Sequence, residues 1–173
     1  GCTVATGSVR RRAQLGRARP DLQFAELRGN IDRRLSKIPD GGAIVMAVAA
    51  LDILGLTDRI AQILDVDEFV PAVGQGCVAV ECRIDDPSTR EALAAIDHAT
   101  TRHDVEVERA FLAELGSGCS LPVGAHACEG TLRTFLADLD TGVSVSDELA
   151  LPGGAADLDI ARAAATAAHR ALS

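Results

Sequence analysis

Residues 2–64 alternate short β-prone runs with helical ones, and this alternation constrains the fold more than any other feature of the chain. "CTVATG" at 2–7 reads as an interior strand and runs directly into "SVRRRAQL". Ser8 supplies the N-cap of a helix that continues to about Ala18, where Pro20 stops it. A strand at about 23–27, a helix over 30–38 capped by Asn30, a strand at 43–48, and helices near 50–55 and 57–64 follow. Strands alternating with helices indicate a parallel or mixed sheet whose faces the helices cover.

The second half has a different rhythm. "VPAVGQGCVAVECR" (70–83) reads as a loop containing Gly74 and Gly76, then a strand of alternating pattern. A new unit begins near Asp85: "DDPSTREALAAIDH" and "ATTRHDVEVERAFLAEL" are helical, the latter with apolar residues at 105, 107, 111, 112 and 115. "PVGAHAC" and "LRTFLADLD" read as two strands joined by a turn at Glu129 and Gly130, and residues 157–172 as a closing helix. The expected fold class is α/β for the first unit and α+β for the second, with a boundary between about 80 and 86. At 47% hydrophobic and 24% charged residues the composition is that of a globular chain. The longest apolar run, 43–56, is broken by Asp52 and is shorter than the ~20 residues of a membrane span, so no membrane partner is expected. Because the chain opens in mid-unit, a preceding segment is expected.

Charge is segregated. The net charge of −8 argues against a nucleic-acid partner, yet residues 10–37 hold nine of the 17 basic residues against three acids, a local +6 in a remainder of −14. Arg10, Arg11 and Arg12 fall in the first turn of one helix; Arg28, Arg33 and Arg34 surround the start of another. Cations are disfavoured at helix N-termini by about 0.3–1 kcal/mol each, so this placement points to an anionic ligand, a carboxylate or a phosphate. Arg12, Arg17, Arg19 and Lys37 are expected to be merely solvated.

The remaining chemistry is concentrated in "GSGCSLPVGAHA" (116–127), where glycines strip side chains from around Cys119. The other cysteines, at 2, 77, 82 and 128, lie on strand patterns and read as structural. An odd cysteine count without paired spacing favours a reducing, cytoplasmic setting and no metal. His98, His103, His126 and His169 lack mutual ligand spacing. Two readings of the residues stand apart from any family: a cysteine hydrolase using Cys119 with His126, and a non-catalytic anion-binding module.

In order along residues 2 to about 140, "SVRRRAQL" with "RPDL", "LRGNIDRRLSKI", "PAVGQG" running into "ECRIDD", "ERAFL" and "GCSLPVGAHA" resemble the porphobilinogen deaminase (hydroxymethylbilane synthase) family. The resemblance implies a partial periplasmic-binding-protein-like lobe at 1–68, an interlobe hinge and strand segment at 69–84, and a C-terminal α+β domain at 85–173. It implies a first lobe outside this sequence that holds the acid-base aspartate, and hence no catalytic acid and no activity in this chain alone. Cys119 would carry a dipyrromethane cofactor through a thioether, its sulfur capturing the electrophile formed when porphobilinogen loses ammonia. Arg10, Arg11, Ser8 and Thr6 would bind that cofactor; Arg28, Arg34 and Gln75 would bind substrate. The implied reaction joins four porphobilinogen molecules into linear hydroxymethylbilane in haem biosynthesis. Its partners would be porphobilinogen and its oligomers, on a monomeric enzyme. The chain departs from the family at Ile53, where another cleft arginine is usual, at Ala50, in "ATGS", and at Ser117 and Ser120.

Overall fold

The computed structural model describes residues 1–116 and 121–172. Its first sheet is parallel, in the order β2-β1-β3, built from β1 (Thr3–Ala5), β2 (Gln23–Ala25) and β3 (Ala43–Ile44). The register pairs Val4 with Phe24 on one side and with Ala43 on the other, and Val4 and Ala5 are buried. α1 (Val9–Ala18) crosses from β1 to β2, α2 (Ile31–Leu35) from β2 to β3, and α3 (Val48–Ile53) follows. Both expected caps form: Ser8 Oγ accepts from Arg11 N–H at 3.4 Å and Asn30 Oδ1 from Arg33 N–H at 3.0 Å.

The second sheet is antiparallel, in the order β4-β5-β6, from β4 (Val123–Cys128), β5 (Thr131–Ala137) and β6 (Ser144–Ala150). α4 (Pro87–Ala94), α5 (Ala99–Glu114) and α6 (Ala155–Leu172) complete this half. Its core joins Val107, Ala110 and Phe111 of α5 to Ala125 and Ala127 of β4, Leu132 of β5 and Ala161, Ala164 and Ala165 of α6. The alanines recur every three or four residues, one helical face, and their small side chains let α6 lie close against α5. Asp157 anchors the start of α6: it is buried, accepts from Gly153 N–H at 2.8 Å and lies 2.8 Å from His103 Nε2. No helix among the described residues is long and apolar enough to cross a membrane.

Several expected elements differ. The helix from Asn30 stops at Leu35, ahead of Pro39 and the positive-φ Gly41, and the third strand shrinks to Ala43–Ile44. The helix expected over 57–64 is a single 3-10 turn, Thr57–Arg59. The strand expected at 77–83 does not form: a strand requires a hydrogen-bonded neighbour, and Val78 and Val80 are 86% and 57% exposed instead of paired. β6 carries no strand signal in sequence, because SVSDELA is mostly polar; it is a half-solvated edge strand whose pairing with β5 supplies what its hydrophobicity does not.

The two halves meet at Val70 and Pro71. A Cβ on Gly124 of β4 would stand 2.8 Å from the Pro71 carbonyl oxygen and 3.0 Å from that of Val70. Gly124→Ala is therefore expected to destabilise the chain by about 1–3 kcal/mol through overpacking against backbone, measurable as a lowered urea midpoint at constant slope.

Candidate functional site

In a parallel sheet the C-terminal strand ends and the following helix starts share one edge, where open α/β proteins place their ligands. Here that edge holds a cavity of about 280 Å³ lined by Thr6, Gly7, Ser8, Arg11, Leu27, Arg28, Arg34 and Val45. Each strand contributes: Thr6 to Ser8 follow β1, Leu27 and Arg28 follow β2, and Val45 follows β3. Buried Thr6 accepts from Ser8 N–H through Oγ1 at 3.2 Å, which shapes the turn into α1. The turn passes so near the β2 exit that a Cβ at Gly7 would stand 2.8 Å from the Leu27 carbonyl oxygen.

The cavity is cationic. Arg11 donates from Nη1 to the Val45 carbonyl at 2.7 Å, and Arg34 from Nε to the Gly29 carbonyl at 2.8 Å. These bonds orient the two guanidiniums and leave their other N–H groups free of partners among the described residues. Arg28 makes no hydrogen bond or ion pair among the described residues. No acidic side chain among the described residues lines the cavity. Burial, and then the neighbouring Arg34 cation, lower the pKa of Arg11 below the usual guanidinium range. An anion would relieve that repulsion, and the positive end of the α1 dipole adds to its attraction.

The sequence-predicted set divides. Thr6, Ser8, Arg11, Arg28 and Arg34 come together around the cavity, while Arg10 and Gln75 do not line it. Arg10 is buried, donates to the Val70 carbonyl, lies 3.4 Å from Gln75 Oε1 and sits 5.8 Å from the Phe69 ring centroid. Burial, and then Arg11, push its pKa down to about 10. The cause is helical geometry: consecutive residues are rotated by about 100°, so three adjacent arginines cannot face one hollow. Arg12 points a third way, to Glu26 at 2.8 Å and the Phe24 ring. Arg17, expected to be only solvated, donates to Ser146 Oγ of β6 at 2.7 Å and stacks 5.4 Å from the Phe135 ring centroid. α2 is too short for a dipole-based site, so Arg34 acts there through its own charge. Ile53 is 84% exposed and does not line the cavity. Cys119 lies outside the described residues. The described residues contain no cluster of three or more His, Cys, Asp or Glu side chains placed to hold a metal ion.

Sequence reasoning missed Leu27 and Val45, although both follow strand ends and the edge rule for parallel sheets could have found them. It also missed Glu108 and Gln14, which look like ordinary helical surface residues in sequence yet are buried. A second cavity, of about 490 Å³, lies between residues 73–79 and α5; its described lining is largely apolar, with Arg109 as its charged residue.

Fold and site together define an α/β protein with a guanidinium-lined hollow at a helix start. The chain belongs to the porphobilinogen deaminase family. Residues 1–91 match the family pattern described as "Porphobilinogen deaminase, dipyromethane cofactor binding domain", and residues 103–164 match "Porphobilinogen deaminase, C-terminal domain". The chain is 42% identical over 158 residues to the porphobilinogen deaminase of Pelobacter propionicus, covering 88% of this chain and 51% of that protein. It is 40% identical over 163 residues to that of Trichlorobacter lovleyi, covering 91% and 52%. It is 37% identical over 158 residues to that of Geobacter metallireducens, covering 88% and 50%. The chain thus spans about half the length of the curated relatives it matches.

Proposed function

We propose that this chain is the cofactor- and substrate-binding part of a hydroxymethylbilane synthase, a transferase that joins four porphobilinogen molecules with release of ammonia in haem biosynthesis. The observation that carries this reading is the hollow where Arg11, Arg28 and Arg34 converge with no lining acid, inside a chain of net charge −8. Each pyrrole unit carries an acetate and a propionate, and a cluster of guanidiniums without counter-charges suits such a polycarboxylate.

The geometry supports the following roles. Arg11 and Arg34, each fixed by one backbone carbonyl, hold carboxylates with their remaining N–H groups; Arg28 adds a third cation to the lining. Ser8 and Thr6 shape the helix start that presents backbone N–H groups. Gln75 and Arg10 stand behind the hollow and link it to the interlobe segment. Cys119 anchors dipyrromethane through a thioether, and when bound that group supplies the nucleophilic pyrrole carbon at which the chain grows. The residues present fit such a group, since the hollow offers charge for its carboxylates and its described lining holds no acidic residue. The lobe at 1–68, periplasmic-binding-protein-like in its parallel sheet, the hinge at 69–84 and the α+β domain at 85–173 form the proposed units of a monomeric cytoplasmic enzyme.

The test is the intact mass of a full-length form of the protein carrying this sequence, after incubation with porphobilinogen. A dipyrromethane-sized increment located on the Cys119 peptide is expected. An unmodified Cys119 thiol under those conditions would overturn the reading.

A further inference from the structure

The reverse face of α1 carries a buried polar contact that binding at the hollow does not require. Gln14 is only 3% exposed, and its amide engages both polar groups of one residue: Nε2 donates to the Val70 carbonyl at 2.9 Å, and Oε1 accepts from Val70 N–H at 2.7 Å. A side-chain amide here does what a neighbouring strand would do for Val70. The same carbonyl accepts from Arg10 Nη1.

Val70 is also where the two halves touch. Its side chain packs with Phe135 and Ala137 of β5 and with Ala13 of α1. Gly124 of β4 approaches the carbonyl oxygens of Val70 and Pro71 with no room for a Cβ. One turn further along the helix, Arg17 reaches Ser146 of β6. Positions 10, 13, 14 and 17 follow the i, i+3, i+4, i+7 spacing of one helical face, whereas Ser8 and Arg11 look into the hollow.

We propose that Gln14 is a positioning residue that sets the orientation of the C-terminal half relative to the arginine hollow by holding the Val70 peptide against α1. The second sheet follows Val70 because β4 and β5 pack directly on it. An apolar residue of equal size at position 14 would fill the space but leave Val70 N–H without its acceptor, and a buried unpaired donor favours any movement that brings it to water. This role is independent of which carboxylate occupies the hollow.

The test compares the 173-residue chain with Gln14→Met by NMR in a weakly aligning medium, alongside amide hydrogen exchange. In the unsubstituted chain, one alignment tensor is expected to fit the amides of both sheets. In Gln14→Met each sheet is expected to keep its own fold, while the two sheets need separate tensors and Val70 N–H exchanges at least about tenfold faster. Porphobilinogen affinity at the hollow is expected to change by less than about twofold, because Gln14 does not line it. A single shared tensor in the variant would overturn the proposal, since side-chain volume alone would then suffice. Should Gln14→Met fail to fold, exchange in the unsubstituted chain decides: Val70 N–H is expected to exchange as slowly as the amides of β5, and exchange at the rate of an exposed loop amide would refute the clamp. Loss of porphobilinogen binding in the unsubstituted chain would count against the proposed function and leave the orientation result standing.

Discussion

On the proposed function, Arg11→Met is expected to weaken porphobilinogen binding by about 10- to 100-fold, because a charge-assisted hydrogen bond contributes about 1.5–3 kcal/mol and each 1.4 kcal/mol is a factor of ten. Arg11 is the cation most committed to the hollow. It is half-buried, oriented by the Val45 carbonyl, and held beside Arg34 with no acid lining the cavity. Arg33→Met is the matched control: it removes the same charge from the same region, but Arg33 is exposed and does not line the cavity. Its effect is expected to stay within about twofold at physiological salt, where charges beyond about 8 Å are screened. Titration calorimetry at two salt concentrations checks both variants. Equal losses from the two would mean that diffuse charge, not the hollow, binds the ligand.

Glu108→Ala is expected to cost about 3 kcal/mol of stability, a large share of what a chain of this size has to lose. Glu108 is 4% exposed and accepts from two backbone donors, Gly74 N–H at 2.6 Å and Ala127 N–H at 2.9 Å. It thereby ties the chain at Gly74 to α5 and β4. His126 Nδ1 lies 3.5 Å from the same carboxylate and makes no hydrogen bond of its own among the described residues. Removing the carboxylate leaves two N–H groups without acceptors, each costing about 1–3 kcal/mol when buried. Glu106, exposed on the same helix, gives the comparison: Glu106→Ala is expected to change stability by less than about 0.5 kcal/mol. Urea unfolding of the two variants tests this, and equal midpoints would show that Glu108 carries no special burden.

Local signals proved legible where the structure is local. Ser8 and Asn30 cap the helices that the sequence assigns to them, Glu129 and Gly130 make the turn with positive φ, and α5 buries Val107 and Phe111 from the predicted stripe. Residues 77–83 show where that logic ends: the alternating pattern is present, but alternation describes a strand's faces and does not supply the neighbour that completes its hydrogen bonds. β6 is the converse case, a polar stretch made into a strand by the open edge of β5.

The sequence by itself determined which residues could be cationic, that Ser8 and Asn30 start helices, and which family patterns the chain carries, because these depend on residue identity and short spacing. Tertiary structure alone decided which cations share a hollow. Adjacent in sequence, Arg10, Arg11 and Arg12 are dispersed by helical rotation to Val70, Val45 and Glu26, whereas Arg28 and Arg34 reach Arg11 only because parallel pairing brings the exits of three strands to one edge. Convergence of that kind is a property of chain topology, and no window of neighbouring residues contains it.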